Sequence, residues 1–299
     1  MFYGSFVALV TPFTSTGEID FPNLEQLLEM HLAAGTDGLV VAGSTGEAAL
    51  LTAKEKHQLI AFVVKHIAGR IPVVAGTGLQ STPATVELTQ AIGELGVDAC
   101  LVVTPYYVKP TQAGLIAHYQ AVADASSVPI VLYNVTGRTA CDLLPETVAT
   151  LSEHEKIIAI KEADPSMSRL HALQAACPES FSLISGNDAT VCDWLEAGAH
   201  GCISVTANVA PAAMHAMCSA VFQGDVDYAR AIDQRLQALH DILFVESNPI
   251  PVKYALSAMG LIDNQLRLPL TPLSATHQAA VQDALQAASI QQSHSVETS

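Results

Sequence analysis

The sequence is short of positive charge. Of its 299 residues only 13 are Lys or Arg against 29 Asp or Glu, a formal charge of −16. Such a chain repels phosphate backbones and anionic lipid, so neither nucleic acid nor a membrane surface is expected as a partner. Aromatic residues are few as well, at 5% with a single Trp. The six cysteines, at 100, 141, 177, 192, 202 and 218, form no C-x-x-C pair and sit mostly in apolar runs. That usage predicts reduced, buried thiols in a cytoplasmic protein. The opening MFYGSFVALVTPF lacks a basic leader and a cleavage signal, and reads as a first strand. No P-loop, no G-x-S-x-G elbow and no G-x-G-x-x-G after a strand occurs, and the 11 histidines show no metal-ligand spacing. Neither an organic cofactor nor a metal is therefore expected. Residues 201–222 carry no Asp, Glu, Lys or Arg, yet Asn208, Pro211 and His215 interrupt them, so a strand, loop and helix fit better than a membrane span.

What is present is apolar and regular. Half the residues are hydrophobic, enough to bury a sizeable core. Eight short, β-branched runs recur along the chain: SFVALV (5–10), GLVVAG (38–43), IPVVAG (71–76), ACLVVT (99–104), PIVLYN (129–134), IIAIK (157–161), FSLIS (181–185) and GCISV (201–205). Between them lie segments of helical period, such as PNLEQLLEMHLAAG and TAKEKHQLIAFVVKHIAG, each closed by a Gly suited to a C′ cap. Eight β-α alternations predict an α/β fold, a closed (β/α)8 TIM barrel over residues 1–222. A doubly wound sheet is the alternative, though it does not need eight evenly placed strands. Residues 223–288 show helical patterns only and read as a C-terminal helical extension. The polar stretch 289–299 reads as a disordered tail.

Barrels of this class place their chemistry at the C-terminal ends of the strands. Among seven lysines only Lys161 closes a predicted strand; the others fall on helices, flanks or a loop. Barrel walls there would desolvate the amine and favour its nucleophilic form. The competing reading is a structural lysine that snorkels from the strand end or pairs with Glu162. Tyr133 ends the fifth run, either as a proton carrier beside the amine or as a packed core tyrosine. Ser44 and Thr45, in GSTGE, could relay protons and bind a carboxylate at a helix start, or simply cap a turn. Arg138, one of six arginines, offers a bidentate clamp for a carboxylate or a surface salt bridge. Tyr106 and Tyr107 are paired in a loop and suit an interface.

Taken in order, GSFVALVTPF, GSTGE, IPVVAGTG, VTPYYVKP, LYNVTGRT, IAIKEAD, ISVTANVAP and FVESNPIPVKYAL resemble the dihydrodipicolinate synthase and N-acetylneuraminate lyase superfamily of Schiff-base aldolases. The likeness spans residues 2 to 288 and is greatest to its dihydrodipicolinate synthase branch. The resemblance implies that Lys161 forms an imine with pyruvate and that the enamine attacks L-aspartate 4-semialdehyde, the first committed step of lysine biosynthesis. It implies a proton relay of Tyr133, Ser44 and Tyr107, with Tyr107 reaching in from a neighbouring subunit. Thr45 would bind the pyruvate carboxylate and Arg138 that of the semialdehyde, with Gly186 and Ile203 as further substrate contacts. The family is cofactor-free and usually a homotetramer built as a dimer of dimers.

Three departures from the pattern stand out. Ser44 replaces the usual Thr, keeping the hydroxyl but losing the methyl that restricts its rotamer, and GSTGE is also a lyase spelling. Arg138 points the other way, since sialic acid lyases lack it. Thr136 replaces a loop proline. At positions where lysine-sensitive members carry polar groups for feedback inhibition, including histidine and a carboxylate, this chain has Ala48, Ala53, Lys56, Gln80 and Ala84. Loss of the carboxylate and gain of a cation predict little lysine feedback.

Overall fold

The computed structural model describes residues 2–289, so the tail expected over 289–299 lies outside the described residues except for Ser289. Eight strands close into a barrel in sequence order, every neighbouring pair parallel. They are β1 (Gly4–Ala8), β2 (Gly38–Val41), β3 (Val73–Gly76), β4 (Ala99–Val103), β5 (Ile130–Asn134), β6 (Ile157–Glu162), β7 (Ser182–Ser185) and β8 (Gly201–Ser204). Each falls within or beside one of the eight runs. A helix follows each strand, because parallel neighbours need a crossover that covers the sheet. The helix Ala53–Ile67 shows how local sequence sets such an element. Thr52 accepts from Glu55 N while the Glu55 carboxylate accepts from Thr52 N, a reciprocal cap. Its far end turns out through Ala68 at φ +49 and Gly69 at φ +75.

Alternation along the strands divides the core in two. Phe6, Val40, Val74, Leu101, Val131 and Ile184 point at the barrel axis. Leu39, Val41, Val102, Leu132 and Ile160 point outward and pack against the helices. Each such buried aliphatic side chain contributes about 1.5–3 kcal/mol. The register slips by one residue between β5 and β6: Ile130 pairs with Ile157, but Val131 pairs with Ala159. On the first register Tyr133 would face Ile160; after the slip it faces Lys161.

Residues 201–222 form β8, a short helical turn at Thr206–Asn208 and the helix Pro211–Phe222. Among the described residues no helix is long and apolar enough to cross a membrane. Three more helices follow, Val226–Ile242, Ile250–Ala258 and Ala275–Ala287, and their apolar faces join the outer core through Leu236, Leu256 and Val281. The six cysteines are all free, and burial pushes the Cys100 and Cys192 thiols up to about 12.

Candidate active site

Lys161 is the penultimate residue of β6, with its side chain inside the barrel and 6% exposed. It makes no hydrogen bond or ion pair among the described residues. Its Nζ lies 4.4 Å from the centroid of the Tyr133 ring. The pairing with Glu162 does not occur, because successive strand residues face opposite sides. Glu162 turns outward into a buried network. Its carboxylate accepts from Asn134 Nδ2 at 2.9 and 3.2 Å and from Asp164 N at 2.8 Å. Asn134 Nδ2 also donates to Asp142 Oδ1, and Asp142 is held by Arg169 Nη2 at 2.7 Å. Burial pushes the Glu162 carboxyl up to about 7, against the pull of Asn134, the Asp164 amide and Arg169. Asn134 faces Glu162 one step beyond the Tyr133–Lys161 pair, so this network clamps together the two strand ends that carry the pair.

The amine opens into a cavity of about 440 Å³ whose wall includes Thr45, Tyr133, Arg138, Gly186 and Asn248. Gly186 is there for lack of a side chain. A Cβ on it would lie 2.9 Å from Lys161 Cε and 3.1 Å from the Glu162 carbonyl oxygen. Arg138 rides on the helical turn Thr136–Thr139 and makes no ion pair among the described residues. Its Nη2 donates instead to the Asn248 main-chain oxygen at 3.0 Å.

Thr45 is buried, and its Oγ1 accepts from Asn248 Nδ2 at 2.8 Å. The GSTGE segment leads into a single short turn, Ala48–Leu50, rather than the start of a regular helix. Glu47, at φ +55, locks that segment from below. It pairs with Lys253 Nζ at 2.6 Å, and neither side chain is exposed. Lys253 also donates to the Gln265 carbonyl and lies 4.2 Å from the Phe13 ring centre. The C-terminal helices thus hold the loop that presents Ser44 and Thr45.

Three expected residues are not at the amine's cavity. Ser44 lines an adjoining cavity of about 300 Å³ with Tyr106 and Lys56, which shares the wall of Tyr133, Val135, Arg138 and Asn248. Tyr107 is 90% exposed, at φ +74, and lines neither cavity of its own chain. Ile203 points at the barrel axis and packs with Phe6, Val131 and Ile184. Asn248 and Glu47 were not singled out in the sequence, though they lie in the motifs FVESNPIPVKYAL and GSTGE. Glu47 carried a faint signal, a carboxylate inside a strand-end motif, whereas Asn248 had only its place in a motif beyond the last strand.

A family model, described as the dihydrodipicolinate synthetase family, matches residues 1–288. The chain belongs to that family. A relative named 4-hydroxy-tetrahydrodipicolinate synthase from Methylococcus capsulatus is 52% identical over 97% of this chain and 100% of its own. One of the same name from Coxiella burnetii is 50% identical over 96% of this chain and 98% of its own. The crystal structure of a chloride-inhibited dihydrodipicolinate synthase from Acinetobacter baumannii, complexed with pyruvate, superposes with a TM-score of 0.95. It is 46% identical and covers 97% of this chain and 100% of its own. Among dihydrodipicolinate synthetase family members, then, this chain carries an amine, a phenol, a guanidinium and a buried threonine around one cavity.

Proposed function

We propose that this chain is a Schiff-base lyase that condenses pyruvate with L-aspartate 4-semialdehyde to give 4-hydroxy-tetrahydrodipicolinate and water. One observation carries the reading: Lys161 is buried, unpaired among the described residues and beside the Tyr133 ring in an open cavity. Its amine adds to the keto carbon of pyruvate, and loss of water leaves an imine. Removal of a methyl proton gives an enamine, whose carbon attacks the aldehyde; the aldehyde oxygen becomes the 4-hydroxyl. The substrate's own amine then adds to the imine carbon, closes the ring and expels Lys161.

Tyr133 carries protons in the imine steps, with Ser44 across the shared wall as the next hydroxyl. Thr45 takes the pyruvate carboxylate and Arg138 that of the semialdehyde. Tyr107, exposed on its own chain, joins the relay only across an interface, which fits a homotetramer of two dimers. Lysine feedback is weak, since Ala48 and a buried Lys56 line the adjoining cavity and its one carboxylate among the described residues, Glu47, is already paired with Lys253. Borohydride with pyruvate tests the core of the proposal. Peptide mass spectrometry should find the reduced adduct on Lys161, and an unmodified Lys161 refutes the imine. A coupled assay with the semialdehyde then separates this reaction from that of a sugar-acid lyase, which gives negligible turnover. Half-inhibition by sub-millimolar lysine would refute the feedback assignment.

A further inference from the structure

One residue outside the barrel touches both groups assigned to substrate carboxylates. Asn248 sits just before the helix Ile250–Ala258 and reaches Thr45 with its side chain and Arg138 with its main-chain oxygen. The two contacts are chemically separate. The carboxamide N–H enters one lone pair of Thr45 Oγ1 at 2.8 Å, with Asn248 6% and Thr45 3% exposed. A threonine hydroxyl has one proton to give and two lone pairs to receive with. With a donor fixed on one lone pair, its O–H points away from the amide. No acceptor for that O–H occurs among the described residues, and Thr45 lines the cavity of Lys161.

We propose that the Asn248 carboxamide is a positioning residue that sets the polarity of the Thr45 hydroxyl, committing it to donate to the carboxylate of the keto acid held at Lys161. The proposal rests on the reading that a keto acid binds there. Its logic is preorganisation: a hydroxyl already turned toward the anion needs no reorientation when the substrate arrives. Arg138 is outside this effect, because its bond to Asn248 uses an oxygen that every residue carries.

Steady-state kinetics of Asn248→Asp and Asn248→Ala in the full-length enzyme test it. A carboxylate has no N–H, so Asn248→Asp would take the Thr45 proton for itself. We expect the KM for pyruvate to rise about tenfold or more, the size of one hydrogen bond to a charged group. The KM for the semialdehyde should stay within about twofold. Asn248→Gln, which keeps the donor, should recover part of the loss. In a Thr45→Val background, Asn248→Ala should add nothing further, since the hydroxyl it acts through is gone. A merely structural residue would raise both KM values together and act additively with Thr45→Val; either result overturns the assignment. So does an Asn248→Asp enzyme with unchanged KM for pyruvate, which would mean that the carbonyl accepts from Thr45 instead. If the aspartate variant does not fold, Asn248→Ala carries the test; loss of fold in both overturns the proposal. Wild-type enzyme that borohydride cannot trap with pyruvate would sink the keto-acid reading itself, a different failure.

Discussion

A single methyl group placed on Gly186 should disable this site while leaving the fold nearly intact. The added Cβ would lie 2.9 Å from Lys161 Cε and 3.2 Å from Lys161 Cγ. Carbon atoms in contact prefer about 3.5–4.0 Å, so the end of the lysine must retreat by about 0.6–1 Å. That retreat is cheap, because Cε and Nζ lie at the end of a flexible chain. The Glu162 carbonyl oxygen, 3.1 Å away, needs to give only slightly. Strain of this kind costs about 1 kcal/mol, or a fall in melting temperature of about 2–4 °C. Chemistry responds far more steeply, since displacing a reacting atom by about 1 Å costs roughly 10²-fold. The assay is single-turnover trapping of the pyruvate adduct with borohydride, run beside a thermal melt. Gly186→Ala should trap about 10²-fold more slowly and melt within a few degrees of wild type. Trapping at the wild-type rate would show that Lys161 does not react from its observed position.

Other perturbations follow from the same geometry. Arg138→Leu should lower kcat/KM for the semialdehyde by about 10- to 10²-fold, the worth of a charged hydrogen bond. Pyruvate trapping on Lys161 should survive that change; losing both would mean Arg138 holds the site together instead. Glu162→Gln should flatten part of the pH dependence of stability. The folded chain raises this carboxyl from 4.5 to about 7, so between those values it keeps a proton that the unfolded chain has released. Wild-type stability therefore falls by about 3 kcal/mol as pH rises from about 4.5 to 7 and is flat above, a slope the variant should lack. Parallel melting curves across pH 5 to 8 would refute this. Glu47→Gln strands Lys253 without its carboxylate and should cost about 3–5 kcal/mol in denaturant unfolding. A cost below about 1 kcal/mol would mean that water reaches the pair.

The barrel was legible because its strands advertise themselves. Runs such as IIAIK and GLVVAG are β-branched, short and closed by a polar residue or glycine, and eight of them alternating with helical segments favour a closed parallel sheet over a doubly wound one. Lys161 was legible for the same reason, as a charge where the pattern calls for an apolar residue. The slip between Ile130 and Val131 was not, since a bulge leaves no periodic trace, yet it sets Tyr133 opposite Lys161. Lys253 looked like one helical lysine among several; only Glu47, 206 residues earlier, accounts for its burial. Asn248 lies in a turn with no strand-end position to mark it, and its meaning comes wholly from partners far away in sequence. Tyr107 is the converse case, a residue whose proposed role needs a neighbour that one chain does not contain.

Asn248 and Thr45 are 203 residues apart, and that distance has a consequence for the order in which the molecule is made. A nascent chain that has emerged only as far as β8 already holds Lys161 and Tyr133. It does not yet hold Asn248, nor Lys253, which anchors the loop of Thr45 through Glu47. The Lys161 amine is thus synthesised well before the segment that completes the anion site proposed for it. On the proposed mechanism, full reactivity toward keto acids arrives only when the C-terminal helices dock, so the last part synthesised completes the loop that follows β2.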